Sequence, residues 1–334
     1  MRKKILLVSI VIILCGLSLG GVYLYYQHIR TINVSDINII LKKNQSIEQV
    51  AKMLQEKNVI KNQEAFIHHA GKKGLKLNVK AGNYIIYPKT KLDDIITKIK
   101  NGKSDFTIIT IPEGYTLYQI GDILEKNNLV KKQDILNEKL DVLKNNDLFL
   151  SKKDIYYDLE GYLFPDTYYI LEGSSKETII NLMVDRFKTV FTDKDKARTK
   201  ELGLDVNEVI TIASLIEREA ANDSERSRIS GVIYNRLKKG MLLQIDAAVI
   251  YAHTKGEKTI EKVYFSTLKI QSKYNTYLYK GLPPGPIASP GKASIEAALY
   301  PEKNNYLYYL ANGNKHIFSK TYKEQLENEK KYIK

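Results

Sequence analysis

Cysteine is almost absent from this sequence of 334 residues, because its single cysteine, Cys15, lies in an uncharged segment near the N-terminus. The rest of the chain therefore excludes disulfides and thiolate metal sites. The five histidines show no metal-ligand spacing, and the sequence has no Gly-rich phosphate loop and no Gly-x-Ser-x-Gly elbow. We accordingly expect no metal and no cofactor, and a reaction carried by this chain would have to use carboxylates.

Acidic residues are outnumbered by basic ones, 38 to 52, which gives a formal net charge of +14. Such a charge is typical of nucleic-acid binding, but no dense Lys/Arg stripe with interleaved aromatic residues is present, so we expect no nucleic-acid partner. Two interpretations remain open. The lysines form an ordinary solvated surface, or they attract anionic membrane or cell-wall polymers.

Charged residues are also missing from a run of 22 residues, 5–26, which follows a basic start at residues 1–4. A run of this length can cross a bilayer, and tyrosines at its far end are typical of the membrane interface. The pattern predicts a single-pass cell-membrane protein with residues 1–4 in the cytoplasm and the remainder outside. A cleaved signal peptide ending near residues 18–20 is the alternative, although the length of the run favours an uncleaved anchor.

Two segments of the exported part repeat at an offset of 70 residues, 46–60 and 116–130. Each copy opens with Ser or Thr followed three residues later by Gln, the pattern of a capping box, and each follows a strand-like run. We predict a repeated α+β region over residues 31–150, with copies near 35–100 and 106–150, and a capped helix at 90–100 between the two repeated segments. The copies are similar to the LysM-type fold that binds amino-sugar glycans, or they are a generic packing unit.

An apolar helix is predicted at residues 207–220, with its first residue as the N-cap, inside an α+β catalytic domain spanning 151–334. Its two glutamates, Glu217 and Glu219, lie two positions apart and therefore point about 200° away from each other. Glu219 falls on the densest apolar stripe, where a carboxyl group keeps its proton as a general acid or pairs with a cation. Arg226 and Arg236 are the candidate cations for such a buried salt bridge.

Two further segments carry polar side chains suited to a ligand. Residues 241–246 alternate like a strand, which would place Gln244 and Asp246 on one face for hydrogen bonding, or on an exposed edge. Residues 274–291 are rich in proline and glycine and predict a rigid loop, which is either a binding element or purely structural. The candidate substrate-binding residues at its start are Tyr274, Asn275, Thr276 and Tyr277.

Together these motifs resemble the endolytic murein transglycosylase family, also called MltG or YceG-like, over nearly the whole chain. The matching segments are Ala-Ser-Leu-Ile-Glu-Arg-Glu at 213–219, Asn235-Arg236, Leu-Gln-Ile-Asp at 243–246, Tyr-Asn-Thr-Tyr at 274–277, Gly-Leu-Pro-Pro-Gly-Pro-Ile at 281–287, Ile-Pro-Glu-Gly at 111–114 and Glu-Gly-Tyr-Leu-Phe-Pro-Asp-Thr at 160–167.

The resemblance implies a lyase that cuts the β-1,4 bond between N-acetylmuramic acid and N-acetylglucosamine within peptidoglycan strands and leaves 1,6-anhydro ends. It implies Glu219 as the general acid/base, with Glu217, Asn235 and Arg236 in support, and penicillin-binding proteins of the elongation and division machinery as partners. A non-catalytic, glycan-binding scaffold for cell-wall synthases and a water-using muramidase are the alternative functions.

Overall fold

The computed structural model describes residues 31–42, 44–75, 79–102, 104–139, 153–258, 260 and 266–332. The predicted cytoplasmic segment and anchor, residues 1–4 and 5–26, lie outside the described residues. Within the described ranges, no helix is both long enough and apolar enough to cross a bilayer. Helices and strands are mixed along the chain, which confirms the α+β class. The chain forms two compact units: one runs to Thr107 and includes Tyr169–Glu172, and the other contains Ile108–Tyr168 and the residues from Gly173 onward.

The first unit has the predicted order of strand, helix, helix and strand, followed by a third helix. Its elements are β1 (Ile37–Leu41), α1 (Ile47–Glu56), α2 (Gln63–Lys72), β2 (Gly82–Ile86) and α3 (Leu92–Asn101). The two strands pair antiparallel, with Ile37 opposite Ile86 and Leu41 opposite Gly82. The apolar faces of the sheet and the helices bury a single cluster of side chains, which accounts for the stability of this unit.

Local hydrogen bonds explain where the helices of the first unit begin. The predicted capping box of α1 is confirmed, because the Ser46 side chain accepts the Gln49 N–H and the Gln49 side chain accepts the Ser46 N–H. The predicted cap of α3 is wrong. Its N-cap is Lys91, which makes no side-chain cap, while the Thr90 hydroxyl donates instead to the Tyr87 carbonyl at 2.7 Å.

The second unit contains most of the helices and two small sheets. Its elements are β3 (Phe106–Thr110, which begins in the first unit), α4 (Leu117–Lys126), α5 (Lys132–Leu136), β4 (Thr167–Leu171, which ends in the first unit), α6 (Lys176–Val190), α7 (Asp193–Glu201), α8 (Val206–Glu219), α9 (Arg226–Lys238), α10 (Asp246–Thr254), α11 (Lys292–Leu299), β5 (Tyr308–Asn312), β6 (Lys315–Ser319) and α12 (Tyr322–Tyr332). Strands β3 and β4 pair with each other, and β5 and β6 form an antiparallel hairpin. The second copy of the repeat, with a confirmed capping box at Thr116, thus belongs to the unit that also holds the apolar helix.

Helix α8 is the centre of the second unit, because every residue from Val209 to Ile216 is buried. It packs against α11 and α9, and also against α10 and α7. The helix begins earlier than predicted, since Asp205 is the N-cap and accepts the Glu208 N–H at 2.8 Å. Asn207, the predicted cap, lies inside the first turn.

The predicted strand at residues 241–246 is wrong. The segment is irregular, Gln244 has a left-handed backbone with φ of 51°, and α10 begins at Asp246. Side chains occupy the backbone groups that a strand ladder would use. The guanidinium of Arg236 donates to the Leu243 carbonyl at 2.7 Å, and the hydroxyl of Thr276 accepts the Ile245 N–H at 2.9 Å.

A buried carboxyl group joins the second repeat copy to α10. Glu160 accepts the Leu117 N–H at the start of α4 through one oxygen and the hydroxyl of Tyr251 through the other, both at 2.9 Å. Burial raises the pKa of Glu160 to about 8, even though these two hydrogen bonds and the Gly161 N–H oppose the rise. Glu160 therefore holds its proton in the folded protein at pH values where the unfolded chain has lost it.

This shift predicts a specific pH dependence of stability. The folded-state pKa of Glu160 is about 8, above the ordinary value of 4.5. The contribution of this group to the free energy of unfolding is therefore fully present below pH 4.5 and is lost as the pH rises through 8. Glutamine imitates the protonated acid and does not titrate. We expect Glu160→Gln to gain stability relative to wild type between about pH 5 and pH 8, on the order of 3 kcal/mol, in urea unfolding.

Glu296→Gln provides the control, because this carboxyl group lies on the surface of α11 with 59 % of its side chain exposed. Its unfolding free energy should follow that of the wild type across the same range. If the unfolding free energies of Glu160→Gln and wild type differed by the same amount at both ends of the pH range, the raised pKa of Glu160 would be contradicted.

Candidate active site

Glu219 is the last residue of α8 and remains partly exposed. The hydroxyl of Tyr309, on strand β5, donates to its Oε2 atom at 2.9 Å. The backbone N–H of Ala247 also donates to this carboxyl group. Ala247 lies in the first turn of α10, where N–H groups have no partner within their own helix. Two donors from two different elements thus hold the Glu219 carboxyl group at an accessible position.

Opposing influences act on the acidity of Glu219. Burial raises its pKa, and the negative charge of Asp246 adds to the rise. The hydrogen bonds from Tyr309 and Ala247 and the nearby His316 lower it, but the net pKa stays above the ordinary value. The carboxyl group therefore keeps its proton to a higher pH than a surface glutamate, while donors that stabilise the carboxylate are already in place.

Tyr309 was not predicted as a site residue. Its ring lies edge-on to the His316 ring with centroids 5.3 Å apart, and His316 Nδ1 lies 2.9 Å from Glu225 Oε2. Burial alone would raise the pKa of Glu225, but the hydrogen bonds from the His316 ring and backbone lower it overall. The sequence signal was Gly313-Asn314, a two-residue pair typical of a β-hairpin loop, between the tyrosine-rich run 306–310 and the run 315–319.

Glu217 points away from this group and makes a salt bridge. Its Oε1 atom lies 3.2 Å from Arg226 Nη1, and its Oε2 atom accepts the Gly291 N–H at 2.9 Å. Arg226 also contacts the Ser294 hydroxyl and Asp223, so its charge is shared among three side chains. The ion pair with an arginine that was considered for Glu219 is thus made by Glu217, whose side chain is only 7 % exposed.

One polar side of α8 binds the proline-rich loop along its length. Asn207 donates to the Pro284 carbonyl at 3.0 Å, the Ser214 hydroxyl accepts the Ile287 N–H at 3.1 Å, and Glu217 accepts the Gly291 N–H. The loop also packs closely against Gly161, which lies outside α8 and has φ of 84°. A Cβ atom on this glycine would lie 2.6 Å from the Pro286 ring. The predicted rigidity of this loop therefore has a physical cause.

Asn235 and Arg236 hold other parts of the backbone near the site. The Asn235 amide donates to the carbonyls of Asn304 and Tyr306, on the segment that leads into β5. Arg236 donates to the Leu307 carbonyl at 2.6 Å and lies over the Tyr308 ring, 5.1 Å from its centroid. Burial lowers the pKa of Arg236, against the influence of the neighbouring tyrosines. Both side chains thereby position the hairpin that carries Tyr309.

Asp246 and Tyr277 lie beside Glu219. The hydroxyl of Tyr277 donates to Asp246 Oδ1 at 2.6 Å, and the negative charge of Glu219 contributes to the raised pKa of Tyr277, after burial and the bond to Asp246. Gln244 is exposed, and its side-chain oxygen lies 3.4 Å from Arg236 Nη1. The structure therefore groups Gln244, Asp246 and Tyr277 with Glu219 and Arg236.

The other three candidates from the loop lie in the interior. The ring of Tyr274 stacks on Tyr156 with centroids 4.8 Å apart, the Asn275 amide donates to the Leu268 and Ile270 carbonyls, and the Thr276 hydroxyl binds the backbone of Ile245. Tyr274, Asn275 and Thr276 are each at most 1 % exposed. Their side chains lie in the interior behind Gln244 and Asp246. They are not exposed at the surface of the site, as those two residues are. Among the residues that the structure describes, no group of three His, Cys, Asp or Glu side chains is arranged to hold a metal ion.

Comparison with known proteins identifies the family. The YceG-like family matches residues 39–331. An endolytic murein transglycosylase of Bacillus subtilis is 37 % identical over 336 residues, which cover 95 % of this chain and 91 % of that protein. An endolytic murein transglycosylase of Streptococcus pneumoniae is 30 % identical over 342 residues, covering 92 % of this chain and 61 % of the longer relative.

A solved structure agrees with these matches. The crystal structure of a putative yceG-like protein from Listeria monocytogenes superimposes with a TM-score of 0.65 at 36 % sequence identity, over 88 % of this chain and 99 % of that one. The resemblance inferred from the motifs is thereby confirmed, and the chain belongs to the YceG-like family of endolytic murein transglycosylases.

Proposed function

We propose that this protein is an endolytic lytic transglycosylase that cleaves the β-1,4 bond between N-acetylmuramic acid and N-acetylglucosamine within peptidoglycan strands. Relatives at 37 % and 30 % identity bear the name endolytic murein transglycosylase, and the first of them matches over nearly its whole length. The observation that carries the assignment is the environment of Glu219. It is an accessible carboxyl group with a raised pKa, held by two donors that stabilise its carboxylate form.

The reaction uses Glu219 twice. As an acid, Glu219 gives its proton to the glycosidic oxygen, which leaves as the 4-hydroxyl of N-acetylglucosamine. As a carboxylate, it then takes the proton of the muramoyl 6-hydroxyl, whose oxygen bonds to C1 and closes the 1,6-anhydro ring. The proton count returns to its starting value and no water is consumed, so a second carboxylate nucleophile is not required.

The environment of Glu219 suits both halves of this cycle. Its burial and the charge of Asp246 favour the protonated acid before the bond breaks. Tyr309 and the Ala247 N–H favour the carboxylate that exists between the two proton transfers. A general acid/base of this kind contributes on the order of 10²–10⁴ to a rate, with its best pKa near the working pH.

We assign the neighbouring residues to binding and positioning. Gln244, Asp246 and Tyr277 are accessible enough to bond sugar hydroxyls, whereas Glu217, Asn235 and Arg236 hold the loop and the hairpin around them. The interior positions of Tyr274, Asn275 and Thr276 favour a role in shaping the site.

We further propose that residues 5–26 anchor the protein in the cell membrane and that the repeated α+β copies are LysM-like modules that bind glycan. The support is the uncharged run of 22 residues and the strand–helix–helix–strand order of the first copy. An anchored enzyme would act close to the membrane, where penicillin-binding proteins polymerise new strands, and these synthases are the partners that the family resemblance implies.

The central prediction concerns Glu219→Gln, which keeps the size and hydrogen-bonding capacity of the side chain but removes its proton transfer. We expect a loss of activity of about 10²-fold or more, with normal folding, when peptidoglycan is digested and the products are analysed by mass spectrometry. Wild type should release 1,6-anhydro muropeptides. Reducing ends in their place would indicate a muramidase, no release by wild type would indicate a binding scaffold, and full activity of the variant would remove Glu219 from the reaction.

Glu217→Gln is the matched variant two residues away and should behave differently. Glutamine can still accept the Gly291 N–H, but it leaves the Arg226 charge without its buried partner, which costs on the order of 3 kcal/mol of stability. We expect a lower midpoint of thermal unfolding and, at temperatures where the variant is folded, activity much closer to that of wild type than to that of Glu219→Gln. If Glu217→Gln lost as much activity as Glu219→Gln without any loss of stability, the positioning role of Glu217 would be contradicted.

Tyr309→Phe tests the donor to Glu219. Removing this hydrogen bond removes an influence that lowers the pKa of Glu219, so the pKa should rise. We expect the alkaline limb of the pH profile of kcat/KM, where the acid loses its proton, to move to higher pH, together with a lower kcat. Tyr308→Phe, on the other face of β5, is the control and should leave the limb in place. A limb that is unmoved or displaced to lower pH in Tyr309→Phe would refute the role.

A further inference from the structure

The chain is fixed to one end of the first unit from its first described residue. The N–H of Thr31 donates to the Thr90 carbonyl at 3.0 Å, and the N–H of Ile32 donates to the Val59 carbonyl at 2.9 Å. The amide of Asn33 then donates to the Ile86 carbonyl at 3.1 Å. These bonds attach residues 31–33 to the end of the unit formed by the turn after α1 and the turn after β2. We call this end, residues 31–36, 57–61 and 87–91, the N-terminal face.

The proposed anchor leaves little distance between the bilayer and this face. The uncharged run ends at Tyr26, and five Cα–Cα steps separate it from Thr31. Even fully extended, these steps span about 18 Å at most. The headgroup layer itself occupies roughly 5–8 Å on each side of the hydrocarbon core. If the anchor spans the bilayer, Thr31 therefore lies within about 18 Å of the hydrocarbon core, although this reach does not by itself fix which side of the unit faces the lipid.

Apolar side chains are exposed on the same face. Val34 is 95 % exposed, the Tyr87 side chain is 52 % exposed, and Ile32 is 37 % exposed. The Tyr87 carbonyl accepts hydrogen bonds from the hydroxyls of Thr31 and Thr90, which places Tyr87 beside the point where the chain enters the unit. A tyrosine with neighbouring aliphatic side chains suits the headgroup level of a bilayer, where one end of the ring is apolar and the other is wet.

The charges of this face are mostly positive. Its exposed acidic residue is Asp36, and two more exposed acids lie just beyond it, Glu56 at the end of α1 and Asp94 on α3. The exposed basic residues of the face are Lys57, Lys61, Lys89 and Lys91. Lysines near a bilayer are attracted to anionic lipids, and their long side chains can reach the phosphates while their stems cover apolar surface.

We propose that the N-terminal face docks on the anionic headgroups of the bilayer, with Val34 and Tyr87 at headgroup depth and the lysines on the phosphates. This docking rests on the proposed anchor but goes beyond it, because a tether alone would leave the unit free to present any side to the membrane. Docking would instead fix one side of the first unit against the lipid and hold the opposite end of its β-sheet away from the surface.

The test compares two fluorescent labels on the full chain in vesicles. In a Cys15→Ser background, Val34→Cys places the label on the face. Ala81→Cys places it next to Gly82, at the end of the β1–β2 pair opposite Ile86. The five-residue strands separate the two positions by about 17 Å. With phosphatidylglycerol vesicles carrying a headgroup spin label, we expect quenching at position 34 to exceed that at position 81 about threefold, because docking holds only position 34 at the surface.

Charge provides the second arm of the experiment. The difference between the two labels should shrink in neutral phosphatidylcholine vesicles, in the double variant Lys61→Glu/Lys89→Glu, and in about 1 M salt, where the Debye length falls to about 3 Å. Equal quenching at positions 34 and 81 in chains that float with the vesicles would overturn docking and leave the anchor and the glycan cleavage intact. A chain that does not float with vesicles would overturn the anchor and the docking together. Muropeptide release, measured separately, reports on the cleavage alone.

Discussion

The structure of the site depends on how one largely buried helix, α8, satisfies the polar side chains that it buries. Buried polar groups are costly unless they are hydrogen-bonded, and Asn207, Thr211 and Ser214 are buried on one side of α8. Asn207, Ser214 and Glu217 bind successive backbone groups of the proline-rich loop and thereby fix its path over about three helical turns. The loop is rigid both because its prolines restrict the backbone and because the helix binds it at three points. The same helix ends at Glu219, so the element that fixes the loop also sets the position of the acid.

The two glutamates at the end of α8 have opposite surroundings, although they are separated by a single residue. Glu217 lies beside the positive charge of Arg226 and accepts the backbone N–H of Gly291. Glu219 has neutral donors and a negative neighbour, Asp246, which leaves its two protonation states closer in free energy. Helical geometry alone separates them, since positions two apart face different neighbours. In the proposed reaction Glu219 exchanges a proton in each cycle, whereas Glu217 holds the proline-rich loop.

Much of this arrangement could be predicted from the sequence because it depends on local patterns. The capping boxes at Ser46 and Thr116 and the split between Glu217 and Glu219 follow from periodicities of a few residues. The errors arise where distant groups replace local ones. The segment around Gln244 has strand-like alternation, but the Arg236 side chain and Thr276 occupy its backbone groups. Tyr309 reaches Glu219 from 90 residues away, and no spacing in the sequence encodes that contact.

The buried contact between Glu160 and the Leu117 N–H has a consequence for how the chain can be divided. The second repeat copy is similar in sequence to a separable module, yet its first helix is capped against residues of the catalytic unit, since the Thr116 hydroxyl donates to the Gly256 carbonyl and Leu117 donates to Glu160. A fragment that starts at residue 151 would lack Leu117, one of the donors to the Glu160 carboxyl group. It would also lack Thr116, whose hydroxyl donates to the Gly256 carbonyl. A catalytic fragment that keeps both contacts must therefore include Thr116 and Leu117, and recombination that exchanged the second copy alone would have to preserve both of them.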